Sequence, residues 1–464
     1  MMVQETHNKT EEEIRKKITE KNIRFVQLEA IDLCGTTKYM LMSSKSFLRN
    51  LPDDFHLGVA ITNLFLPDGK LVMDGGLTLE LGNPNVEVTP DLDTFCVLPW
   101  LQDTAGVFCD LDLKGRKIEY LETSCRQQCK KQLVKLEEMG YHLFSSYEYE
   151  FYLLHKDTMK PVYEDTNLYS ESIGREIRPF IQEVMTVLEQ TGIDVEVYTV
   201  EDGPAQQEIT IKPEFGIKSV DNAIRYKKAV QNIAEKYQME AIFLSQCFAE
   251  EADCSSHFNH SLWDLTKKEN AFSDITNDDK LSEVCKYWLA GLQHHSKALS
   301  ALYWATNNCV ERCQTKKEIH FVPVNNSWGF DNRSVCYRIK NYSVRRTYIE
   351  DRLPGAGCNP YLVMTGCLIA GMDGIKRKLP LKSEPFVGMM LGVQDLPSGI
   401  DKVPESLPEA MKCLEEDSIF CEELGEVFMN AFKPLKKAEF ERWQEIENEE
   451  ERFQMYRGIY GKHL

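Results

Sequence analysis

Ser145-Ser146-Tyr147-Glu148-Tyr149-Glu150-Phe151-Tyr152-Leu153-Leu154 is the stretch whose reading decides the fold. Aromatic and aliphatic residues fill it and helix caps are lacking, so it reads as a strand. Side chains two apart on a strand leave the same face, which sets Glu148 and Glu150 side by side on an otherwise apolar ribbon. Like charges that close raise each other's pKa unless something neutralises them. Hard cations such as magnesium take carboxylate oxygens and meet that need. Two solvated glutamates on an exposed strand face explain a single E-x-E better, so the rest of the chain has to change the odds.

Outward from this strand, a clear amphipathic helix over Glu122 to Met139 leads into it. Upstream, Glu11 to Lys21 reads as a short charged helix. Ile23 to Met42 reads as strand, turn at Asp32-Leu33-Cys34-Gly35, then strand. Further strand signals lie at Leu71-Val72-Met73-Asp74 and from Phe95 to Trp100. Downstream, a helix is expected from Arg178 to Thr191, stopped by Gly192. Strands are expected at Asp194 to Val200, Glu208 to Lys212 and Ala241 to Gln246, with a helix over Val220 to Tyr237. Strands and helices alternate to about residue 380, and an acidic helical tail runs from Leu407 to Tyr460. Its surface from Glu415 reads as a solvated helix face. The fold class is α+β, with a large sheet carrying acidic residues on one face.

The 464 residues suffice for two or three domains. A net charge of −19 argues against unaided binding to nucleic acid or anionic membranes. The 15 cysteines follow neither zinc-finger nor C-x-x-C spacing and read as free thiols in a reducing cytosol. Gln4 to Lys17 is too polar for a signal peptide, and no apolar run is long enough to span a membrane. The expected location is the cytoplasm.

Four more places carry ligand-type residues: Glu201 and Glu208 around a Gly203-Pro204 turn, His257 in Ser256-His257-Phe258-Asn259-His260, and Glu350 in Tyr348-Ile349-Glu350-Asp351-Arg352. Arg333 and Arg338 lie nearby in sequence. Carboxylates gather divalent cations and arginines clamp phosphate or carboxylate oxygens, which is equipment for phosphoryl transfer to a carboxylate. In order and spacing the set resembles the glutamine synthetase family, class I. The resemblance rests on Thr89-Pro90-Asp91-Leu92-Asp93-Thr94-Phe95, on Glu148-Tyr149-Glu150-Phe151, on Glu201 with Gly203-Pro204-Ala205-Gln206-Gln207-Glu208, and on Asn359-Pro360-Tyr361-Leu362 with Ala370 to Ile375. It covers nearly the whole chain.

The resemblance implies a polar segment over 1–20, an N-terminal β-grasp domain over 21–113, and a catalytic-type domain with a large antiparallel sheet over 114–464. It implies one metal site at Glu150, Glu201 and Glu208 and a second at Glu148, His257 and Glu350. Arg312, Arg333, Arg338 and Arg352 match the arginines that handle substrate carboxylate and phosphates. It implies self-association in stacked hexameric rings, a dodecamer, with active sites between neighbouring subunits.

Departures fall where chemistry would occur. Asp253 stands where the family's glycine lets backbone approach the amino-acid substrate, and it opposes an anionic glutamate. Asn259 replaces a nucleotide-contacting histidine, and His260 is one step out of register. Tyr348 replaces a nucleotide-holding arginine. The flap glutamate slot falls at Phe321, with Glu318 nearby, and Gly58 to Asn63 lacks the family's ammonium-pocket element. Each lost general base or charge clamp costs about 10²–10⁴ in rate. The chain therefore reads as a catalytically inactive homologue with no intact nucleotide pocket for ATP. Similarity to the family's eroded member in the vertebrate lens implies an oligomeric structural or chaperone-like role beside intermediate filaments of differentiating lens fibre cells. The alternative is an active ATP-dependent glutamate–ammonia or γ-glutamyl-amine ligase. Either way, five gathered carboxylates without cations would repel strongly, so structural magnesium or manganese is expected to bind.

Overall fold

Two sheets organise the chain. The computed structural model describes residues 2–52, 54–72, 82–112, 120–314, 321–389 and 400–464. The first sheet contains β1 (Phe25–Ile31), β2 (Thr37–Ser43), β3 (His56–Gly58), β4 (Asn85–Pro90), β5 (Cys96–Val97) and β6 (Thr104–Asp112). Its order is β2-β1-β6-β4-β3, with β5 on β6. β1 and β2 pair antiparallel across the Asp32–Gly35 turn, where Thr36 N–H donates to Asp32 Oδ1 at 2.8 Å and Gly35 takes φ 92°. β1 runs parallel to β6. Val26, Leu28, Val88 and Val107 bury against Phe47 and against Ile14 and Ile18 of the helix Met2–Glu20. The strand signal at residues 71–74 meets one bridge, Phe65 to Leu71; residues 73 and 74 lie outside the described ones. So does the expected domain boundary at 113 and 114.

The second sheet has nine strands: β7 (Tyr141–His155), β8 (Val195–Val200), β9 (Gln206–Ile211), β10 (Glu214–Phe215), β11 (Met239–Ile242), β12 (Ser256–Asp264), β13 (Trp328–Phe330), β14 (Tyr337–Asn341) and β15 (Thr347–Asp351). The order is β13-β14-β15-β12-β7-β9-β8, with β10 and β11 also on β7. Every pairing is antiparallel except β13 with β14. β7 alternates as its sequence dictates: Tyr147, Tyr149 and Phe151 are fully buried, while Glu148 and Glu150 face the other way, partly exposed. On the apolar side Tyr147 stacks on Tyr149 at 5.8 Å and its hydroxyl donates to Pro360 O at 2.6 Å. The helix Pro360–Arg377 packs there, against the helix Glu283–His294. That approach needs glycine: a Cβ on Gly371 would lie 2.2 Å from the Trp288 ring, and one on Gly374 2.1 Å from Tyr287 O.

Two expectations are corrected. The helix expected from Arg178 begins at Glu171 and holds Pro179 inside. The buried stripe Ile173, Ile177, Phe180, Ile181, Val184 and Leu188 outweighs the one donor that proline lacks. The segment after Leu407 is helical and exposes Glu415 and Glu416, as expected, but it is no mere tail. Leu407, Leu414, Phe420, Phe428, Phe432 and Tyr456 are fully buried in the main core. Most of the acidic residues mark the outer faces of those helices, while Glu439 is buried and accepts from Asn307 N–H and the Tyr460 hydroxyl.

His295 ties this C-terminal layer down. Its Nδ1 lies 2.6 Å from Asp417 and its Nε2 3.0 Å from Asp373. Burial opposes the charged imidazole, but the hydrogen bonds to Asp417 and Asp373 win and raise its pKa. Burial likewise opposes the Asp417 carboxylate, and the His295 bond lowers its pKa. The imidazolium's stabilisation is complete below the unfolded histidine value and is lost as pH rises through the raised folded one. That of Asp417 holds above the unfolded aspartate value and is lost as pH falls through the lowered one. Stability from this triad is therefore expected to peak at mildly acidic pH. His295→Asn should flatten the alkaline limb in thermal unfolding; an unchanged profile would show that the imidazole is neutral.

Candidate functional site

Antiparallel register places the ligand-type residues on one sheet face. Glu148 lies opposite His257, Glu150 opposite Glu208, and Glu350 between Asn259 and Arg338 on its two neighbours. His260 falls on the other face, where Trp288 Nε1 donates to its Nε2 at 3.0 Å, in an aromatic cluster with Phe258 and Phe272. Glu201 follows β8, held by a turn in which Glu201 N–H donates to Gln206 O at 3.0 Å. In that turn Ala205 adopts φ 58°. An L-residue there costs about 1–2 kcal/mol. Gly203 must be glycine because a Cβ would meet the Tyr152 hydroxyl at 2.0 Å.

The face has two unlike corners. In the first, ligand atoms of Glu148, His257 and Glu350 lie within 4.8 Å of one another, the one set of His, Cys, Asp or Glu residues that converges so among the described residues. His257 Nδ1 is 3.6 Å from both carboxylates. This corner is crowded with cations. Arg338 NH1 donates to Glu350 Oε2 at 3.0 Å, Lys340 Nζ sits 2.7 Å from the same oxygen, and Arg352 bonds Oε1. Burial opposes ionisation of Glu350, yet Arg352, Lys340 and Arg338 hold its carboxyl well below the usual range. Burial and then Arg352 lower the His257 pKa, favouring the neutral ligand form.

In the second corner, Glu150, Glu201 and Glu208 have no ion-pair partner among the described residues. Glu150 accepts from Gln206 Nε2 at 3.0 Å, Ser255 N–H at 3.1 Å and Ser255 Oγ; Thr199 Oγ1 donates to Glu201 at 3.0 Å. Burial, then Glu150, pushes Glu201 up to about 7. Burial, then Glu148, Glu150 and Glu201, raises Glu208 well above its ordinary value. A cluster that presses its own members toward neutrality is a donor set suited to a hard divalent cation.

The four matched arginines divide between two openings, Arg312 with Arg352 and Arg333 with Arg338. Arg312 is buried and donates to Leu353 O at 3.0 Å and Arg352 O at 3.2 Å. Arg352 spans Glu350 and Phe321 O, and Arg338 spans Glu350 and Asp331. Arg333 is exposed and lines a separate cavity of about 670 Å³ with Phe321 and Val387. A cavity of about 370 Å³ beside Glu150 and Glu201 is lined by Glu250, Glu251 and Asp253 and also by Arg312 and Arg352. Another of about 250 Å³ is lined by Asn259, Arg345, Arg346 and Tyr348. Residue 318 lies outside the described residues, and Gly58–Asn63 forms a strand end and a short turn.

The sequence reading missed Lys340. It pairs across the ladder with Tyr348 and places its ammonium 5.3 Å from that ring's centre. The signal was available in the period: residue 340 stands two after Arg338, on the same face.

Comparison with known proteins follows the geometry. Residues 122–456 match the family described as glutamine synthetase, catalytic domain. The chain is similar to lengsin of Canis lupus familiaris, 32% identical over 453 residues, covering 96% of this chain and 75% of that protein. It is similar to a glutamate–isopropylamine ligase from a Pseudomonas species, 33% identical over 390 residues and covering 81% and 83% of the two chains. Its fold is similar to a solved GmaS/ADP complex, with a TM-score of 0.81, 22% identity, and coverage of 94% and 97%.

Proposed function

Since the chain belongs to the glutamine synthetase family, whose members are generally oligomeric and use divalent metals, we propose that it is a catalytically silent member: a cation-stabilised oligomeric scaffold. The observation that carries this reading is where the arginines point. Three of the four matched to substrate handling are engaged by the protein itself, Arg312 by two backbone carbonyls, Arg352 and Arg338 by Glu350 and their neighbours. With their terminal nitrogens bonded to internal acceptors, and the Nε of Arg312 and Arg352 buried and unpartnered, these guanidinium groups present little free fork to a carboxylate or phosphate. Glu250, Glu251 and Asp253, with Glu150 and Glu201, outnumber Arg312 and Arg352 in the same cavity lining, and the excess negative charge adds repulsion toward an anionic amino acid.

Glu150, Glu201 and Glu208 would hold a divalent ion, which would supply charge neutralisation there. The assembly proposed is the family's stacked-ring dodecamer. All fifteen cysteines are free, which fits a reducing cytoplasm. No helix among the described residues is long and apolar enough to cross a membrane. A structural or chaperone-like role with intermediate filaments is the finer reading, and it rests on similarity to lengsin alone.

One observation favours a second reading, a ligase joining glutamate to a larger amine. The same acidic lining would attract a cationic amine, and the chain resembles an isopropylamine ligase. Purified protein should be given ATP, glutamate and either ammonium or isopropylamine, with magnesium and then manganese. Product formation at least about 10²-fold below a genuine synthetase is expected, from lost clamps alone. Turnover within tenfold of the synthetase on either amine would overturn the silent reading.

A further inference from the structure

The two corners of the acidic face differ in charge as much as in shape. We propose that Lys340 is a built-in replacement for the second divalent cation, so that each subunit binds one such ion, at Glu150, Glu201 and Glu208. Glu148 and Glu350 bring two negative charges to the converged corner, and a third, the exposed Asp331, pairs with Arg338 at its edge. Arg338, Lys340 and Arg352 bring three positive ones, all buried or nearly so, and His257 adds a neutral imidazole. The corner is neutral as it stands. A divalent ion among the ligand atoms would face three fixed cations at close range in a water-poor site, where Coulomb repulsion is strong.

Convergence of ligand atoms within 4.8 Å points to this corner as the metal site, and charge points away from it. Charge decides, because both Glu350 oxygens are already engaged: Oε1 by Arg352, Oε2 by Arg338 at 3.0 Å and Lys340 at 2.7 Å. A carboxylate so engaged is a weak donor to a metal. The opposite corner has three carboxylates, no ion pair among the described residues, and only neutral donors from Gln206, Ser255 and Thr199. It retains the charge that a divalent ion would neutralise.

The ladder explains how Lys340 reaches its place. Residues 340 and 348 are directly opposed on β14 and β15. Where the matched family position 348 carries arginine, this chain carries tyrosine, and the positive charge comes from the facing strand instead. Lys340 arches over the Tyr348 ring at 5.3 Å, with its side chain 11% exposed, and this packing limits its freedom to withdraw. The inference rests on family membership and on geometry; it holds whether or not the protein turns over substrate.

The test is a manganese titration of the full-length oligomer, read as bound ion per subunit by electron paramagnetic resonance and elemental analysis. Wild type and K340R should bind one ion tightly. K340Q should bind a second, with affinity raised at least tenfold over any second site in wild type, and K340Q/E148Q should lose that second ion. Circular dichroism and size-exclusion chromatography check that each variant is folded and assembled. Two ions bound by wild type with affinities within tenfold would overturn the proposal, as would a folded K340Q that still binds one. Should K340Q fail to fold, single variants of the otherwise native chain decide: E201Q should lose the tight ion and E148Q should keep it. Loss of the tight ion in E148Q, or its survival in E201Q, would place the ion at the wrong corner and sink the idea.

Discussion

Arg126→Met is expected to destabilise the protein by about 3–5 kcal/mol, the usual cost of removing one partner from a buried charge cluster. Arg126 is 3% exposed and meets three carboxylates from different parts of the chain. Its Nε and NH2 grip Asp221 at 3.0 and 2.8 Å; NH1 reaches Asp110 at 2.7 Å and NH2 also reaches Asp91 at 2.8 Å. Asp110 lies on β6 of the first sheet and Asp91 just after β4, with Asp221 on the helix Ile217–Lys236, so one guanidinium fastens the sheet to the rest of the chain. Lys130 also holds Asp91 and Asp110, at 3.0 and 2.7 Å, but Asp221 would be left buried with only the Tyr361 hydroxyl. The double variant R126M/D221N should recover part of the loss, the signature of a coupled pair. Urea unfolding monitored separately by circular dichroism and by assembly state measures it. A loss below 1 kcal/mol would mean that Lys130 carries the junction.

The second large effect concerns the carboxylate nest. Saturating manganese, at a hundred times its dissociation constant, is expected to add about 2.7 kcal/mol of stability. Glu208→Gln should remove that response and at the same time make the metal-free protein more stable. The reason is the raised pKa values there. Glu201 is pushed up to about 7, by burial first and Glu150 second. Between the unfolded carboxylate value and about 7 the folded state binds more protons than the unfolded one. Metal-free stability therefore falls as pH rises across that window. A divalent ion competes with those protons, so its affinity should rise with pH over the same range. Melting temperatures at pH 5.5 and 8, with and without manganese, measure both slopes. A metal-free profile flat in pH and unmoved by the ion would show that the carboxylates splay into water.

Much of this site was legible in the chain itself because its rule is local. A strand's period of two placed Glu148 and Glu150 on one face and Tyr147, Tyr149 and Phe151 on the other, as the structure has them. The same period separated Asn259 from His260. The Gly-Pro turn between Glu201 and Glu208 brought two further carboxylates within one hairpin. Composition is local too, and there it misled: counting acidic residues after Leu407 hid an apolar period that buries Phe420, Phe428 and Phe432.

By itself the sequence determined the α+β class, the acidic strand face and the ligand-type residues, because each follows from neighbours a few positions apart. Tertiary structure alone decided which cation meets which carboxylate. Lys340 faces Tyr348 only through the register of two strands joined by a short 3-10 turn at Val344–Arg346. Arg312 spends its guanidinium on carbonyls forty residues away, and His295 finds partners at 373 and 417. The strand period gives the face of Lys340, but register and burial set which partner each of these charges meets, since charged side chains of one sign are interchangeable in sequence until packing fixes their distances.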